Sequence, residues 1–526
     1  MKPTGYLIVA TAVALATVAD GARTARAGGL FVPGLGSQAM GRAGAFVAKA
    51  DDPSALHHNP AGFARIAGMV VHLGSNLLDY SLSFTRAGAY EDIADADLPW
   101  EGQPYPTVEN EGRPAIGIGS MQALPLLAVS SDLKGAVPGL YVGFGVMVPN
   151  AYPVRDFGSD YVFEDPNEPP PPGRYDVVYQ DAVTVLPSVA AAYSIGDSLD
   201  IGARFSFGFA SIQATSYTWA VPNFAEWAAV DGLFDLTVKD NFVPGFGLGV
   251  LYRPVANLEL GAAYSSALNI RAQGTGTTTL GSVAADPLGN GTMDQIIPPA
   301  VAACADGGQI GALKSCLNLS LPQTATIGAR YVIPGAVKGR ETADIELDVK
   351  WENWSAASDY QIIVDGQSEQ FGSFINQSVI RHGFQDVISV RLGGAYNLAL
   401  GDNTLALRAG VAHDTAAAPE SWTRLDIDGA ARTTIALGGA YQTGRFRIDI
   451  GAGVVVEGDR TVAECNPAGS NESCEPGSPP VPIAERENPD PIQPLVNAAL
   501  QSQSPFNGGS YSSGYLMFSL GFSTWF

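Results

Sequence analysis

After its first 68 residues this sequence consists of fourteen segments in which apolar and polar residues alternate, joined by connections that switch between short and long. Alternation with a period of two is typical of β-strands that have one face in apolar and the other face in polar surroundings. Antiparallel neighbours need only a tight turn, so long connections that always fall on one side indicate loops above a closed barrel. The short connections are 134–139, 195–198, 253–256, 334–339, 399–403 and Gly444.

The alternation predicts an all-β fold, a fourteen-stranded antiparallel transmembrane β-barrel. The predicted strands are 69–84, 115–133, 140–149, 182–194, 199–217, 236–253, 257–277, 323–333, 342–358, 387–398, 403–416, 431–443, 445–458 and 511–526. The long connections are about 85–114, 151–181, 218–235, 278–322, 359–386, 417–430 and 459–510. Because the strand number is even, both ends of the barrel lie on the short-turn side, which is periplasmic in bacterial barrels.

The segment 343–352 shows which face of a strand is wet. Its apolar and charged residues fall on opposite faces: Ile345, Leu347, Val349 and Trp351 against Asp344, Glu346, Asp348, Lys350 and Glu352. A charged row of this density cannot face lipid or a dry core. It therefore lines a wet or ion-paired lumen.

Inward positions also carry several arginines opposite acids such as Glu259 and Asp449. Two interpretations stay open: a structural ion network that also includes Arg42 of the N-terminal segment, or one unpaired arginine that meets a carboxylate solute. The inward arginines are Arg204, Arg330, Arg391, Arg408 and Arg447.

Tyrosines mark one end of the apolar faces. Five strands end with a tyrosine before a tight turn, namely Tyr193, Tyr252, Tyr331, Tyr396 and Tyr441. Tyrosine at this place is typical of a membrane interface. The last strand ends in Phe526, a terminal-aromatic pattern that predicts contact with the barrel assembly machinery. A soluble β-sandwich would also alternate, but it explains neither the tyrosines nor the loop asymmetry.

The N-terminal residues predict that the chain is exported from the cytoplasm. Residues 1–27 combine Lys2, an apolar run and the sequence Ala25-Arg26-Ala27, which fits a signal peptide with a small-residue cleavage site. No later segment has eighteen consecutive apolar residues, so no helix is predicted to span a bilayer. A net charge of −23 argues against nucleic acid as a partner. We expect a monomer in the bacterial outer membrane, in contact with its lipid.

The four cysteines form two local pairs, each inside one long connection: Cys304 with Cys316, and Cys465 with Cys474. Export makes two disulfides the natural interpretation. A zinc site of four cysteines is the alternative, but it lacks the usual C-x-x-C spacing.

The segment 28–68 is rich in glycine and does not alternate, so it is not a membrane strand. Asp52-Pro53 is a good helix start, and Asn59-Pro60 ends that helix within about two turns. A compact element before a wide barrel fits best inside it. We therefore predict an N-terminal hatch, 28–68, in the lumen of the barrel, 69–526.

This segment resembles the hatch of the FadL-type outer membrane transporters of long-chain fatty acids and hydrocarbons. Two motifs in the barrel, 348–355 and 408–414, are also similar to that family, although His413 stands where it more often has tyrosine. The similarity covers essentially the whole mature chain. The hatch motifs are Gly34-Leu35-Gly36-Ser37-Gln38-Ala39-Met40-Gly41-Arg42-Ala43-Gly44-Ala45, Ala50-Asp51-Asp52-Pro53-Ser54-Ala55 and Asn59-Pro60-Ala61-Gly62.

The resemblance implies passive uptake of a hydrophobic small molecule. In such transporters the solute is caught among extracellular loops, enters a lumen pocket gated by the hatch, and leaves sideways beside an interrupted third strand. Residues carried over by position are Leu30 or Phe31 near the pocket, Asn59, Pro60 and Ala61 in the hatch turn, and Gly143, Gly145 and Pro149, which could interrupt the third strand.

Two long connections carry apolar residues that are unusual for solvent loops. They either form a groove that captures the solute or pack together as a lid. The candidates are Trp219, Phe224 and Trp227 in the third, and Ile296, Ile297, Leu313 and Leu317 in the fourth.

Other functions have weaker support. The sequence has no G-x-S-x-G motif, its histidines lack metal-ligand spacing, and the pair His413-Asp414 has no serine partner, so we expect neither an enzyme nor a cofactor. The acidic seventh connection, 464–494, leaves a surface adhesin or receptor as the alternative. An open porin is disfavoured because a hatch would block ion flow.

Overall fold

The structure is a computed structural model that describes residues 32–149, 152–218, 226–286, 289–292, 294–297, 300, 304, 313–335, 341–369, 374–462 and 508–526. The predicted signal peptide, Leu30, Phe31, Trp219, Phe224 and the pair Cys465–Cys474 lie outside these residues.

Strands dominate the described part of the chain. In order they are β1 (Met69–Arg86), β2 (Thr107–Glu109), β3 (Gly117–Ile118), β4 (Met121–Ser131), β5 (Leu140–Met147), β6 (Arg155–Asp156), β7 (Tyr179–Ile195), β8 (Leu199–Thr218), β9 (Gly232–Val255), β10 (Leu258–Ser265), β11 (Leu268–Leu280), β12 (Ile296–Ile297), β13 (Leu313–Leu321), β14 (Thr324–Pro334), β15 (Glu341–Glu352), β16 (Asp359–Ser368), β17 (Phe374–Arg381), β18 (Val387–Leu400), β19 (Asn403–Asp414), β20 (Arg432–Thr443), β21 (Phe446–Glu457), β22 (Arg460–Val462) and β23 (Gly509–Trp525).

Helices are short. The α-helices are α1 (Ser37–Met40), α2 (Ala55–His58) and α3 (Ser282–Ala285), and the 3₁₀ helices are Pro60–Arg65, Leu133–Gly135, Ala228–Val230, Trp354–Ala357 and Glu420–Trp422. None of the helices in the described residues is long and apolar enough to cross a membrane.

The strands close into a barrel with fourteen wall positions, one of which is shared by β10 and β11. Strands β2, β3, β6, β12, β13, β16, β17 and β22 belong to the connections. The first and last strands pair without a break from Val70 opposite Trp525 to Arg86 opposite Gly509. Every ladder is antiparallel, so the predicted fold class is confirmed.

The two faces of the wall are those predicted from the alternation. In β15, Ile345 and Leu347 are about half exposed on the outside, whereas Glu346 and Asp348 are buried inside. The five predicted interface tyrosines all face outward, each between 43% and 52% exposed. Lipid thus meets an apolar outer surface, and the charged row lies in the lumen.

Two predicted boundaries are wrong for a visible reason. Strand β15 ends at Glu352, not at residue 358, because Trp354 turns into the protein and donates its indole N–H to Glu352 at 2.8 Å. The second wall strand covers Met121–Ser131, not 115–133, because a small hairpin with β3 precedes it.

The fourth and fifth long connections continue the wall above the membrane. Strand β13 pairs with β11 and with β16, and β16 pairs with β17. These strands raise one side of the barrel, where the sequence predicted irregular loops over 278–322 and 359–386.

Residues 32–68 lie against the inner face of the wall and are mostly buried. The helix α2 begins at Ala55, two residues after the predicted start, and ends at His58 as predicted. Asn59 then caps the 3₁₀ helix Pro60–Arg65 by accepting the Ala61 N–H at 3.1 Å. The predicted turn at 59–61 is therefore a compact junction of two short helices.

Wall glycines allow this close approach. A Cβ on Gly393 would lie 2.6 Å from the Arg42 carbonyl oxygen, and one on Gly410 would overlap the Arg42 carbonyl carbon. The wall glycines at which a Cβ would overlap the N-terminal segment are Gly143, Gly145, Gly202, Gly249, Gly261, Gly328, Gly393, Gly410, Gly438 and Gly521. At these positions the backbone of the wall directly contacts the backbone or the side chains of the hatch.

Replacing Gly410 by valine should displace the hatch without preventing barrel assembly. Overpacking of this kind costs about 1–3 kcal/mol, so the open population should rise about ten- to hundredfold and be seen as a steady ion leak in planar bilayers. Gly439→Val is the matched control, because this glycine lies on the outer face and its Cβ would have its nearest neighbour at 3.4 Å. An equal leak from both variants would contradict the role of Gly410.

Candidate functional site

The acidic row of β15 holds the hatch. Arg42, fully buried, places its two terminal guanidinium nitrogens 2.6 Å from Asp344 and 2.9 Å from Glu346. The second carboxylate oxygen of Glu346 accepts the backbone N–H groups of Ala48 and Lys49 at 2.6 and 3.2 Å. A buried charge needs both an opposite charge and hydrogen bonds. Here Glu346 has both, whereas Asp344 meets Arg42 as an ion pair without a hydrogen bond of good geometry.

Asp348 and Asn59 extend this contact. One oxygen of Asp348 accepts the N–H groups of Phe46 and Val47 at 2.8 and 3.0 Å. The Asn59 amide donates to the Val47 carbonyl at 2.8 Å and to the Val250 carbonyl in β9 at 3.1 Å. The hatch is thus fixed to β15 by its backbone N–H groups and to β9 by the Asn59 side chain.

The ion network predicted for the inward arginines is present for three of them. Arg408 and Arg447 contact Asp449 at 2.8 and 2.6 Å, and both also donate to the Gln38 side chain in the hatch. Arg330 contacts Glu259 at 2.6 Å. These side chains brace the hatch and the wall.

Arg204 and Arg391 differ from the others. Arg204 donates to the Leu56 carbonyl at 2.8 Å and makes no ion pair with a described residue. Arg391 lies 3.9 Å from Asp414, whose stronger partner is Arg432 at 2.6 Å. Within the described part of the chain, buried nitrogens of both guanidinium groups, Nε of each and Nη2 of Arg391, have no hydrogen-bond partner, and the same holds for Nε of Arg330 and Arg408.

These two arginines line a cavity of about 70 Å³ directly above the hatch. Its lining combines charged and apolar side chains. The lining includes His57, His58, Arg204, Asp348, Lys350 and Arg391, together with Val32, Met147, Pro149, Leu186 and Leu268. Burial lowers the pKa of His58 to about 4, so this imidazole is neutral at physiological pH.

A second cavity, of about 90 Å³, lies above the first and is mainly apolar. Its lining includes Tyr152, Ala182, Ile212, Phe234, Ile270, Leu317, Leu319, Leu321, Tyr360, Ile362, Ile380 and Asp426. The same strands line both cavities at successive heights: Ala182 above Leu186 in β7, and Ile270 above Leu268 in β11. The two cavities therefore lie at successive heights in the lumen.

The wall is incomplete beside this path. Strand β5 ends at Met147, opposite Leu186 of β7, and the next described partner of that edge is Arg155 opposite Gln180. Among the described residues, 181–185 have no strand partner on this side. At the height of the upper cavity, this edge of β7 thus has no strand partner among the residues that the structure describes.

Gly143 and Gly145 do not interrupt the third strand, contrary to the sequence prediction. Both are paired on each side, Gly143 with Ser130 and Ala190, and Gly145 with Ala128 and Ser188. Their lack of a side chain instead makes room for Phe63 and Leu56 of the hatch. Pro149 follows the end of the strand and borders the lower cavity.

The apolar candidates of the long connections fall in different places. Leu317 lines the upper cavity, and Leu313 is buried in the same strand. Ile296 and Ile297 form β12, which pairs with β16. Trp227 packs against the cluster of Tyr90, Ile93, Trp100 and Tyr105 in the first connection. The structure therefore separates one cavity-lining residue from others that pack the loops.

Cys304 and Cys316 form a disulfide, as predicted. Cys316 lies in β13 opposite Ile363 of β16, and Cys304 donates its N–H to Asp365 at 2.9 Å. The bond ties the fourth connection to the raised side of the wall, next to the strand that carries Leu317.

Most residues of the upper cavity were missed by sequence reasoning. Ile212 and Ile270 occupy inward positions of β8 and β11. Apolar residues on the inward face were the available signal. Tyr360, Ile362 and Ile380 belong to strands that were assigned to a loop, so their alternation was not used.

A buried polar cluster closes the loops over the lumen. Arg86 makes two hydrogen bonds to Glu226 at 2.7 and 2.6 Å. Asp231 accepts the hydroxyl of Tyr175 at 2.9 Å and lies 3.3 Å from Arg174. Burial raises the pKa of the Asp231 carboxyl to about 7, although Arg174 opposes this shift.

Comparison with known proteins shows extensive similarity. A family model described as outer membrane protein transport protein (OMPP1/FadL/TodX) matches residues 18–476. The fold is similar to a FadL homologue of Pseudomonas aeruginosa, with 18% identity, a TM-score of 0.68, and coverage of 95% of this chain and 100% of that one. No curated protein matches by sequence.

Two transporters with the same fold are more distant. The toluene transporter TodX of Pseudomonas putida has 14% identity and a TM-score of 0.59, with 94% of this chain and 99% of that one covered. The toluene transporter TbuX of Ralstonia pickettii has 14% identity and a TM-score of 0.55, with the same coverage.

The loop cluster should lose stability as pH rises. The folded pKa of Asp231, about 7, is above the unfolded value of 3.8, so its contribution is complete below pH 4 and is lost through pH 7, up to about 4 kcal/mol. Hydrogen exchange of the amides 226–231, corrected for the intrinsic rate, should show more protection at pH 5.5 than at pH 8. Asp231→Asn should remove this difference.

Glu226→Gln is the control for that experiment. The Arg86 guanidinium lowers the pKa of Glu226 despite its burial, so this carboxylate stays charged over the same pH range. Its removal should weaken protection at both pH values and keep their difference. Equal pH dependence in the Asp231→Asn variant and the unaltered protein would contradict the assignment.

Proposed function

Because the chain belongs to the outer membrane transport protein family that includes FadL and TodX, we propose that it takes up hydrophobic solutes passively across the bacterial outer membrane. The proposed solutes are long-chain fatty acids or hydrocarbons. They are captured below the long connections, pass through a lumen gated by the hatch, and leave sideways into the membrane beside the third wall strand.

The two consecutive cavities are the observation that carries this proposal. The apolar upper cavity offers contacts to a hydrocarbon chain, and the lower cavity offers charged groups just above the hatch. This order of an apolar cavity followed by a charged one suits a solute whose apolar part is shielded from water by the upper cavity. An ion channel would need a continuous polar path instead.

Gating by the hatch follows from the size of these cavities. Their volumes of about 70 and 90 Å³ are well below the roughly 300 Å³ of a typical ligand pocket. A solute therefore fits only if the hatch or the loops move. Movement of the hatch would break the wall contacts of Arg42 and Asn59, whereas movement of the loops alone would keep them.

The sideways exit is supported by the open edge of β7. Residues 181–185 border the upper cavity through Ala182 and Thr184 and have no described strand partner on the β5 side. An apolar solute released there leaves through the wall near the upper edge of the apolar band, and not into the aqueous periplasm. This route needs no energy source, because the membrane is the better solvent for the solute.

A polar end on the solute is supported by the unsatisfied guanidinium nitrogens of Arg204 and Arg391. Both groups line the lower cavity, and charge-assisted hydrogen bonds to a carboxylate are the strong type. Among the proposed solutes, this favours a fatty acid over a plain hydrocarbon.

A disulfide between the hatch and the wall should stop uptake while the barrel stays assembled. The hydroxyl oxygens of Ser37 in α1 and Ser519 in β23 are 2.7 Å apart, so cysteines at both positions can bond. Uptake of a labelled long-chain fatty acid by whole cells should be lost when the pair is oxidised, because a gate that cannot move stays closed. A reductant should restore it.

The matched control joins two wall strands and leaves the hatch free. Ser188 in β7 and Ser206 in β8 are also 2.7 Å apart and buried, and the pair Ser188→Cys with Ser206→Cys should leave uptake unchanged. The unaltered protein treated with the same reductant accounts for its own disulfide. Normal uptake by the oxidised hatch variant would overturn the moving hatch.

Arg391→Met should distinguish a solute with a carboxylate from one without. Loss of a charged hydrogen bond costs about 1.5–3 kcal/mol, so the Kd of a long-chain fatty acid should rise about ten- to hundredfold. The alcohol of the same chain length should bind the variant and the unaltered protein equally. A parallel loss for acid and alcohol would show that Arg391 is structural.

A further inference from the structure

The outer face of β9 shows where the membrane ends. Its lipid-facing row runs from Tyr252 at the short-turn end to Phe242, which is 62% exposed. Ten residues at about 3.3 Å each, tilted by about 40°, cover about 25 Å, the height of the apolar band of such barrels. Phe242 thus lies at the upper edge of the band, and Lys239 lies just above it.

The wall opens into a notch at this height. Strand β9 pairs with β10 below the notch and with β11 above it. Both ladders have the same register, with Ser265 opposite Gly247 and Gln273 opposite Lys239. Ser266 still donates its N–H to the Phe246 carbonyl at 2.9 Å, but residues 267–272 and 240–245 make no ladder pair with each other. A concavity of about 650 Å³ lies here, lined by Thr237, Lys239, Asp240, Asn241, Phe242, Arg271, Gln273 and Gly274.

Three cations surround this notch on the outside of the barrel. Lys239 and Arg271 are exposed in its lining, and Lys314 is half buried opposite Thr275, one step above Gln273 on the same face. In the half of the wall that is nearer the long loops, the remaining described lysines and arginines of the strands are buried, or their side chains are left undescribed. The three cations therefore form a single outward patch on a chain of net charge −23.

None of these cations is neutralised by a described residue. The ion pairs of the described part of the chain all involve other basic groups. Lumen arginines, by contrast, mostly face carboxylates at less than 3 Å. The outer patch is thus left to an external anion.

Two acids lie close by, and both are engaged. Asp240 turns into the wall, where its two oxygens accept the N–H groups of Phe242 and Arg271 at 2.9 and 2.7 Å in place of the missing ladder bonds. Asp235 accepts the Thr215 hydroxyl at 2.7 Å and lies farther from the membrane than Lys239. Neither carboxylate is aimed at the cations.

Aromatic residues lie directly below the patch. Phe205, Phe207 and Phe209 face outward from β8, and Phe242 and Phe246 face outward from β9, each between 39% and 62% exposed. Rigid aromatic faces at membrane depth offer a smooth contact for acyl chains. The sector therefore has a cationic notch at head-group height and an aromatic surface at chain height.

We propose that this notch binds a phosphorylated lipid of the outer leaflet, with its phosphate at Lys239, Arg271 and Lys314 and its acyl chains on the phenylalanines. Long loops of bacterial barrels face outward, which places the notch in the leaflet exposed to the medium. A protein partner would not need the aromatic surface below, and a free phosphate would not need lipid depth. The charge and the apolar surface together fit one amphiphile.

The test measures binding of purified bisphosphorylated lipid A to the detergent-solubilised protein, against the same lipid after enzymatic removal of both phosphates. Each basic residue near a phosphate surface contributes about fivefold in affinity, so three contribute about a hundredfold. The phosphorylated lipid should bind the unaltered protein about a hundredfold more tightly than the dephosphorylated one. Equal binding of the two lipids would overturn the proposal without any variant.

The triple variant Lys239→Gln, Arg271→Gln and Lys314→Gln should lose this preference. Its control is Lys134→Gln with Arg445→Gln, which removes exposed cations at the opposite, short-turn end and should keep it. Inorganic phosphate at the same concentration should not displace the lipid; displacement would show a site for the free ion and overturn the lipid assignment. A control variant that loses as much binding as the triple variant would also overturn it.

Discussion

The contact between the acidic row of β15 and the N-terminal segment is the interaction on which the rest of the structure depends. Asp344, Glu346 and Asp348 face the lumen on successive inward positions, and each would be very costly to bury alone. Arg42 supplies the opposite charge, and the backbone N–H groups of 46–49 supply the hydrogen bonds. Neither part can be removed without leaving the other uncompensated, so barrel and hatch are one energetic unit.

Small residues and a broken wall follow from the same constraint. A hatch held this tightly touches the wall closely, and glycines such as Gly393 and Gly410 supply the space. Among the described residues, the regular ladder is interrupted beside the end of β5 and in the notch between β9 and β11. Both interruptions border apolar surface, one towards the lumen and one towards lipid. The two proposed ligand contacts lie at these irregular parts of the barrel.

The strand number, the faces of the wall and the disulfide Cys304–Cys316 could be predicted from the sequence, because alternation and cysteine spacing are local signals. The partners of the arginines could not, because Arg330 and Arg391 have the same inward position but only Arg330 is closely paired, and this depends on register across strands. Gly143 was misinterpreted for a similar reason. A glycine in a strand has the same sequence signature whether it breaks the ladder or makes room for Phe63, and only the position of the hatch decides between them.

The pairing of β1 with β23 has a consequence for biogenesis. The two edges that close the cylinder come from opposite ends of the chain, so closure must wait until the last strand has been delivered. The hatch precedes the first strand, yet it contacts β15, β19 and β21, which are made much later. It must remain unsealed while these strands are added and be enclosed when the final seam forms. A chain truncated before its last strand would thus leave an open sheet, with its otherwise buried charges in contact with lipid. Such a sheet would be a substrate for periplasmic proteolysis.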